Sequence, residues 1–225
     1  AVMTVPKGLG VDGEYMLHVG AGRVSGVYSS THMPDGRALF LFRSPQLDYH
    51  YRDVPRQKEL LREAFAGMHP TVDRWLTELD RTPGFYFDSV TQLRMDTWSR
   101  ERVTLVGDAG YCPGPAVGGS TSLAVIGAYV LAGELAAADG DHTRAFAAYE
   151  KEMIGLVRES RTFAAGAAKR LIPGSKLGVW ALVEGARLAS VAPSGLMRAV
   201  AKLNSKGLRM HDSMLVKQYA DLRIG

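Results

Sequence analysis

Short runs of apolar positions separated by Gly, Pro and polar breaks fill the first 45 residues and read as strands. The runs "AVMTVP" at the start, "EYMLHV" (14–19), "RVSGVYSS" (23–30) and "RALFLFRS" (37–44) are rich in β-branched and aromatic residues. "MPDG" (33–36) separates the last two as a turn, so this region predicts a β-meander. The pattern then becomes that of a helix. Residues 54–67 bring Leu60, Leu61, Ala64 and Phe65 to one face, and residues 70–80, opening at Pro70, do the same for Val72, Trp75, Leu76 and Leu79. Alternation appears in "FYFDSVTQLRM" (85–95), which predicts one more strand.

A short strand over Val103–Val106 leads into Gly107 and Asp108, and then into a loop dense in Pro and Gly. From there the pattern is helical: 120–138, 143–170, then shorter helices to the end. The breaks fall at "DGDH" (139–142), "PGS" (173–175) and "PSG" (193–195). Strands first and helices last predict an α+β fold. The helix Thr121–Ala138 carries one charge, Glu134, and falls just short of a bilayer span. Its small residues, Gly127 and Gly133 among them, suit close packing inside a protein.

Composition changes this picture little, and charge changes it more. With 46% hydrophobic and 22% charged residues the chain is an ordinary globular one. The single cysteine, Cys112, excludes an intramolecular disulfide, so a cytoplasmic location is expected. The net charge of +4 conceals an asymmetry: residues 168–225 hold ten Lys or Arg against Glu184, Asp212 and Asp221, a net +7, which leaves −3 for the rest. A basic tail of this kind suits an acidic partner or a membrane surface. "SKLGVWALVEGARLASV" (175–191) groups Leu177, Trp180, Val183 and Leu188 between basic flanks, so peripheral membrane contact is one expectation. Packing back onto the preceding helical domain is the other. Nucleic acid is not an expected partner.

Several glycine and histidine patterns carry no chemistry. "GLGVDG" (Gly8, Gly10, Gly13) and "GAGRVSG" (Gly20, Gly22, Gly26) imitate a dinucleotide fingerprint, but both lead into strands, whereas a pyrophosphate site needs a helix N-terminus. The six histidines show no metal-ligand spacing, and no G-x-S-x-G elbow is present. The segment around Gly107–Asp108 differs. An Asp ending a buried strand can accept hydrogen bonds from the hydroxyls of a sugar-like chain, and Gly107 removes a Cβ where a close approach is needed. Gly118, Gly119, Ser120 and Thr121 open a helix whose free N–H groups and dipole favour negative charge in front. Ser120 or Thr121 can equally serve as a plain N-cap.

"RVTLVGDAGYCPGPAVGGSTSLAVIGAYVLAGEL" (102–135) resembles the Gly-Asp motif of class A flavoprotein monooxygenases, the para-hydroxybenzoate-hydroxylase-like aromatic hydroxylases. Gly107 and Asp108 match the Gly-Asp pair, Ala109 the following Ala, Pro115 the Pro, and Gly118 the first Gly of the pair before the helix. The flanks "LFLFRSPQLDY" and "FDSVTQLRMDTWSRERVTLVGDA" resemble the substrate-domain sheet and the approach to that motif. Departures are Tyr111 for a frequent His, Gly119 for a frequent Gln, Ser120 for the second Gly, Ser122 for Asn, and Gly127 for a helix Asp.

The resemblance implies a division into a substrate-domain sheet with two helices (1–98), the strand-loop-helix part of an FAD-binding domain (99–170), and a basic C-terminal helical extension (171–225). It implies FAD as cofactor, NAD(P)H as reductant, and hydroxylation of an aromatic or polyketide-like small molecule. Asp108 would hold the ribityl hydroxyls, with Gly107, Pro115, Gly118, Gly119 and Ser120 forming the flavin loop. Tyr28, Phe40, Phe42, Tyr86 and Gln92 are the candidate walls of the substrate pocket. The family's ADP-gripping Rossmann segment has no counterpart in this sequence, so a C-terminal portion of a longer enzyme is expected. Such a portion would be oligomeric or paired with a complementary N-terminal FAD-binding chain. The alternative is a non-catalytic, truncated flavoprotein-fold subunit or binding module.

Overall fold

A computed structural model describes residues 1–9, 13, 15–114, 119–191 and 217–219. The C-terminal helices expected beyond residue 191 lie outside the described residues. Two compact units emerge: residues 1–89 with 169–191, and residues 90–168 with the described part of the tail.

In the first unit the strand-like runs form an antiparallel sheet. Strands β1 (Val2–Val5), β2 (Tyr15–Gly20), β3 (Arg23–Tyr28), β4 (Gly36–Phe42) and β5 (Phe85–Tyr86) lie in the order β2-β3-β4-β1-β5. The register fixes which residues share a face: Val27 opposes Ala38, Ala38 opposes Met3, and Ser25 opposes Phe40. That face is dry. Met3, Val5, Val27, Ala38 and Phe40 pack against Leu61 and Phe65 of α1 (Val54–Phe65) and Val72, Trp75 and Leu76 of α2 (Pro70–Leu76). Both helices start where the sequence signals it. Asp53 Oδ1 accepts from Arg56 N at 3.1 Å, and His69 Nδ1 accepts from Thr71 N at 3.1 Å, each just ahead of a Pro in the first turn.

The opposite face of the same sheet stays open. Tyr15, Leu17, Tyr28 and Tyr86 are exposed on it, and the Tyr15 and Tyr28 rings stack at 5.4 Å. The strand expected over 85–95 pairs only at Phe85–Tyr86. Beyond it, Asp88 Oδ1 captures Ser89 N and Leu93 N turns instead to Cys112 O, so the ladder ends despite the alternation.

The second unit begins with a hairpin, β6 (Ser99–Arg100) and β7 (Val103–Thr104), turning at Glu101 with φ 53°. The strand expected over Val103–Val106 is therefore shorter. Among the described residues its one ladder partner is β6, antiparallel. A short helix, α3 (Asp108–Tyr111), follows where a loop was expected, and then α4 (Gly119–Ala137) and α5 (His142–Leu171). Gly140 N reaches back to Leu135 O, and Asp141 Oδ1 accepts from Thr143 N and Arg144 N, so one tight turn ends α4 and caps α5. Trp98, Tyr111, Leu123, Val130, Tyr149, Met153 and Val157 form the core of this unit.

Over Ser120–Ala137, α4 is long and apolar enough to cross a membrane. Leu123, Gly127 and Val130 are buried in the unit, while Val125 and Tyr129 on the other side are exposed. Its single charge has a clear role. Glu134 is buried, and its Oε1 accepts from Lys217 Nζ and from Tyr219 Oη, both at 2.7 Å. The Tyr219 ring covers Gly133 and meets the Tyr129 ring edge-on at 5.5 Å. The tail is thus clipped to α4 by a buried carboxylate.

The last described helix, α6 (Lys176–Val191), falls with the sheet unit rather than with the second unit, and it has no buried residue.

Burial raises the Glu134 pKa, but the two hydrogen bonds and the Lys217 charge outweigh it and hold the carboxyl below its ordinary value of 4.5. A depressed folded pKa stabilises the clip above the unfolded value, and that contribution is lost as pH falls through the folded one. Limited proteolysis of the tail is therefore expected to stay slow near neutrality and to accelerate as pH falls below 4.5. In Glu134→Gln it is expected to be fast at every pH.

Candidate functional site

Gly107 sets the geometry of the site. It adopts φ 67° and ψ −139°, a conformation that side chains resist, and a Cβ built on it would stand 2.9 Å from Ala124 Cβ of α4. Only glycine lets the chain leave β7, turn, and press against the second turn of that helix. Gly107 O then accepts from Gly110 N and Tyr111 N, which starts α3 at once. The corner leaves Asp108 exposed, with no hydrogen bond or ion pair among the described residues.

The helix that Gly107 presses against, α4, begins in the same unit. The helix opens at Gly119, so Ser120 and Thr121 sit inside its first turn rather than at the cap. Among the described residues no side chain bonds to the first N–H groups of α4. Among the described residues, the site therefore combines a carboxylate without a partner and a helix N-terminus without a side-chain cap, one a hydrogen-bond acceptor and the other favourable to anions. Both fit a ligand with a hydroxylated chain and an end that carries negative charge. Pro115 and Gly118 lie outside the described residues.

Behind the corner, Tyr111 is fully buried and its hydroxyl lies 2.9 Å from that of Tyr149, which donates to Leu105 O at 3.0 Å. Burial, and then the hydrogen bond with Tyr111, hold the Tyr149 phenol far above its ordinary pKa. The Trp98 ring closes over Tyr111 at 4.7 Å. The Tyr111 hydroxyl occupies the space where a Cβ on Gly127 of α4 would stand. Two of the departures from the class A pattern, Tyr111 and Gly127, are therefore one departure: the larger ring at 111 requires the missing side chain at 127.

Gln92 is half-buried in the second unit. Its Nε2 donates to Pro113 O at 3.0 Å and to Arg161 O at 2.8 Å, while Leu93 N donates to Cys112 O. It straps the segment after α3 to α5. Phe40 is completely buried on the dry face of the sheet, edge-on to Phe65 at 5.1 Å. Phe42 shares that face, half-buried against Phe65, and lines an open groove of about 770 Å³ with Val19, Arg23, Leu60 and Met68. Tyr28 and Tyr86 lie on the open face, as a pocket wall would require. Their neighbours Tyr15 and Leu17 were legible in the alternation of "EYMLHV" but were not selected.

No family model matches the chain. It is 41% identical over 161 residues to an uncharacterised protein of Mycobacterium tuberculosis (strain ATCC 25618 / H37Rv), a match covering 72% of this chain and 43% of that one. It is 36% identical over 163 residues to a flavin-dependent monooxygenase of Legionella longbeachae, covering 72% and 42%. Over the matched residues the chain is similar to flavin-dependent monooxygenases. Among solved structures, that of the tetracycline destructase Tet(55) superposes with a TM-score of 0.79 at 28% identity, covering 97% of this chain and 54% of the destructase. The chain thus spans about half the length of the monooxygenases and other relatives it matches.

Two substitutions test the framework. Gly127→Ala overlaps the Tyr111 hydroxyl and is expected to cost about 1–3 kcal/mol in chemical denaturation. Most of that loss should be recovered in the double variant with Tyr111→Phe, and a purely additive double variant would refute the coupling. Gln92→Leu removes two donors and leaves two carbonyls without them, so hydrogen exchange over residues 112–114 is expected to rise about tenfold or more.

Proposed function

We propose that this chain is the substrate-sheet and flavin-loop portion of an FAD-dependent monooxygenase that hydroxylates an aromatic or polyketide-like small molecule, with NAD(P)H as reductant. One observation carries the reading: the positive-φ Gly107 presses against α4 and presents an exposed Asp108, without a partner among the described residues, in the unit where that helix begins. The similarity to flavin-dependent monooxygenases over the matched residues supports it.

The roles follow from the residues. The Asp108 carboxylate accepts hydrogen bonds from ribityl hydroxyls. The N–H groups over Gly119, Ser120 and Thr121 favour negative charge on the flavin pyrimidine. Pro115 and Gly118, by resemblance, belong to the same loop. The Gln92 strap and the Tyr111–Tyr149 pair hold the segment around α3 in place. When bound, FAD supplies the electron transfer and dioxygen chemistry that side chains cannot. The open sheet face offers Tyr15, Tyr28 and Tyr86 with Leu17 as a flat surface suited to fused rings, with phenol groups to orient their polar substituents. The likeness to a tetracycline destructase supports a substrate of that polycyclic class. A complementary N-terminal FAD-binding segment, on the same or a separate chain, would cover the exposed Val125 and Tyr129 of α4.

The test is flavin binding. The chain, purified with such a segment, is expected to retain flavin absorption. Asp108→Ala is expected to weaken retention about tenfold to a hundredfold, the loss of one or two hydrogen bonds to a charged acceptor. Retention unchanged by Asp108→Ala would overturn the assignment, and no flavin in either sample would favour the non-catalytic module.

A further inference from the structure

We propose that α6 is an interfacial helix that lies on an anionic phospholipid bilayer. The observation is a helix of 16 residues with nothing buried. Leu177, Trp180, Leu188 and Val191 recur at helical spacing on one stripe, and their exposures are 79%, 65%, 68% and 79%. The one acid on that stripe, Glu184, is neutralised by Arg187 at 2.8 Å. An apolar stripe with its charge cancelled, and with a tryptophan in it, suits the boundary between headgroups and acyl chains.

Charge selects the occupant. Lys169, Arg170 and Lys176 stand exposed around the start of α6, with no ion pair among the described residues. Besides Lys217, which is paired with Glu134, the sequence beyond α6 adds five more Lys or Arg against Asp212 and Asp221. A protein partner would need acids placed opposite individual cations, whereas a bilayer bearing phosphatidylglycerol attracts all of them wherever they fall. The sheet unit does not need α6 for its core, because every residue of that core comes from positions 3–79. The helix is therefore free to turn its stripe outward without loss of fold.

Co-sedimentation of the full chain with vesicles of phosphatidylcholine and phosphatidylglycerol in equal parts, against vesicles of phosphatidylcholine alone, tests this. Binding to the anionic vesicles is expected, falling as salt is raised. Trp75 and Trp98 are already buried, so a blue shift of tryptophan emission on binding reports Trp180. The double variant Leu177→Asp, Leu188→Asp is expected to lose about tenfold or more of the bound fraction while melting at the parent temperature. Three results would overturn the proposal: no binding to the anionic vesicles, binding unaffected by the double variant, or a concentration-dependent dimer that the same variant abolishes in the absence of vesicle binding.

Discussion

The contact between Gly107 and Ala124 is the constraint on which the second unit rests. A strand that ends against a helix must turn within one residue, and here it does so with a backbone conformation reserved for glycine and with no room for a Cβ. From that single closure follow the immediate start of α3, the inward placement of Tyr111, and the outward placement of Asp108. Moving α4 outward by even the radius of a methyl group would separate Tyr111 from the wall that Gly127 opens for it. The site and the core are thus two sides of one packing solution.

The first unit obeys a different rule. Its sheet has one dry face and one open face, and the β-register decides membership residue by residue. The two-residue period of a strand divides each run into two sets without saying which set faces the helices. Tyr28 and Phe42 were therefore grouped as pocket walls although they lie on opposite faces. The discriminating signal was present in the helices: Leu61, Phe65, Val72 and Trp75 need aromatic and aliphatic partners, and Phe40 at the centre of β4 supplies one.

Much of the rest was legible because it is local. Caps at Asp53 and Asp141, the breaks at 139–142 and 173–175, and the Gly-Asp corner are all set by a few adjacent residues. What was not legible is non-local. Gln92 reads as one more polar position in an alternating run, and nothing nearby reveals that its amide spans carbonyls 21 and 69 residues away. The pairing of Tyr111 with Gly127 was equally hidden, since each appeared as an isolated departure on a separate element. The premature end of the strand at Tyr86 shows the converse, a local Asp88 turn prevailing over a longer periodic pattern.

The clip at Glu134 has a consequence for the order of events in folding. Its partners Lys217 and Tyr219 are 83 and 85 residues away in sequence, whereas α4 and α5 meet across a turn of a few residues. Loop-closure entropy makes such a distant contact slower to nucleate than the hairpin of helices it seals. Lys217 follows both α4 and α5 in the chain, so the clip forms only after the two helices have been made. Until then α4 carries a carboxylate with no cation beside it. That half-built intermediate, rather than the finished protein, is the species in which the apolar helix is most open to wrong partners.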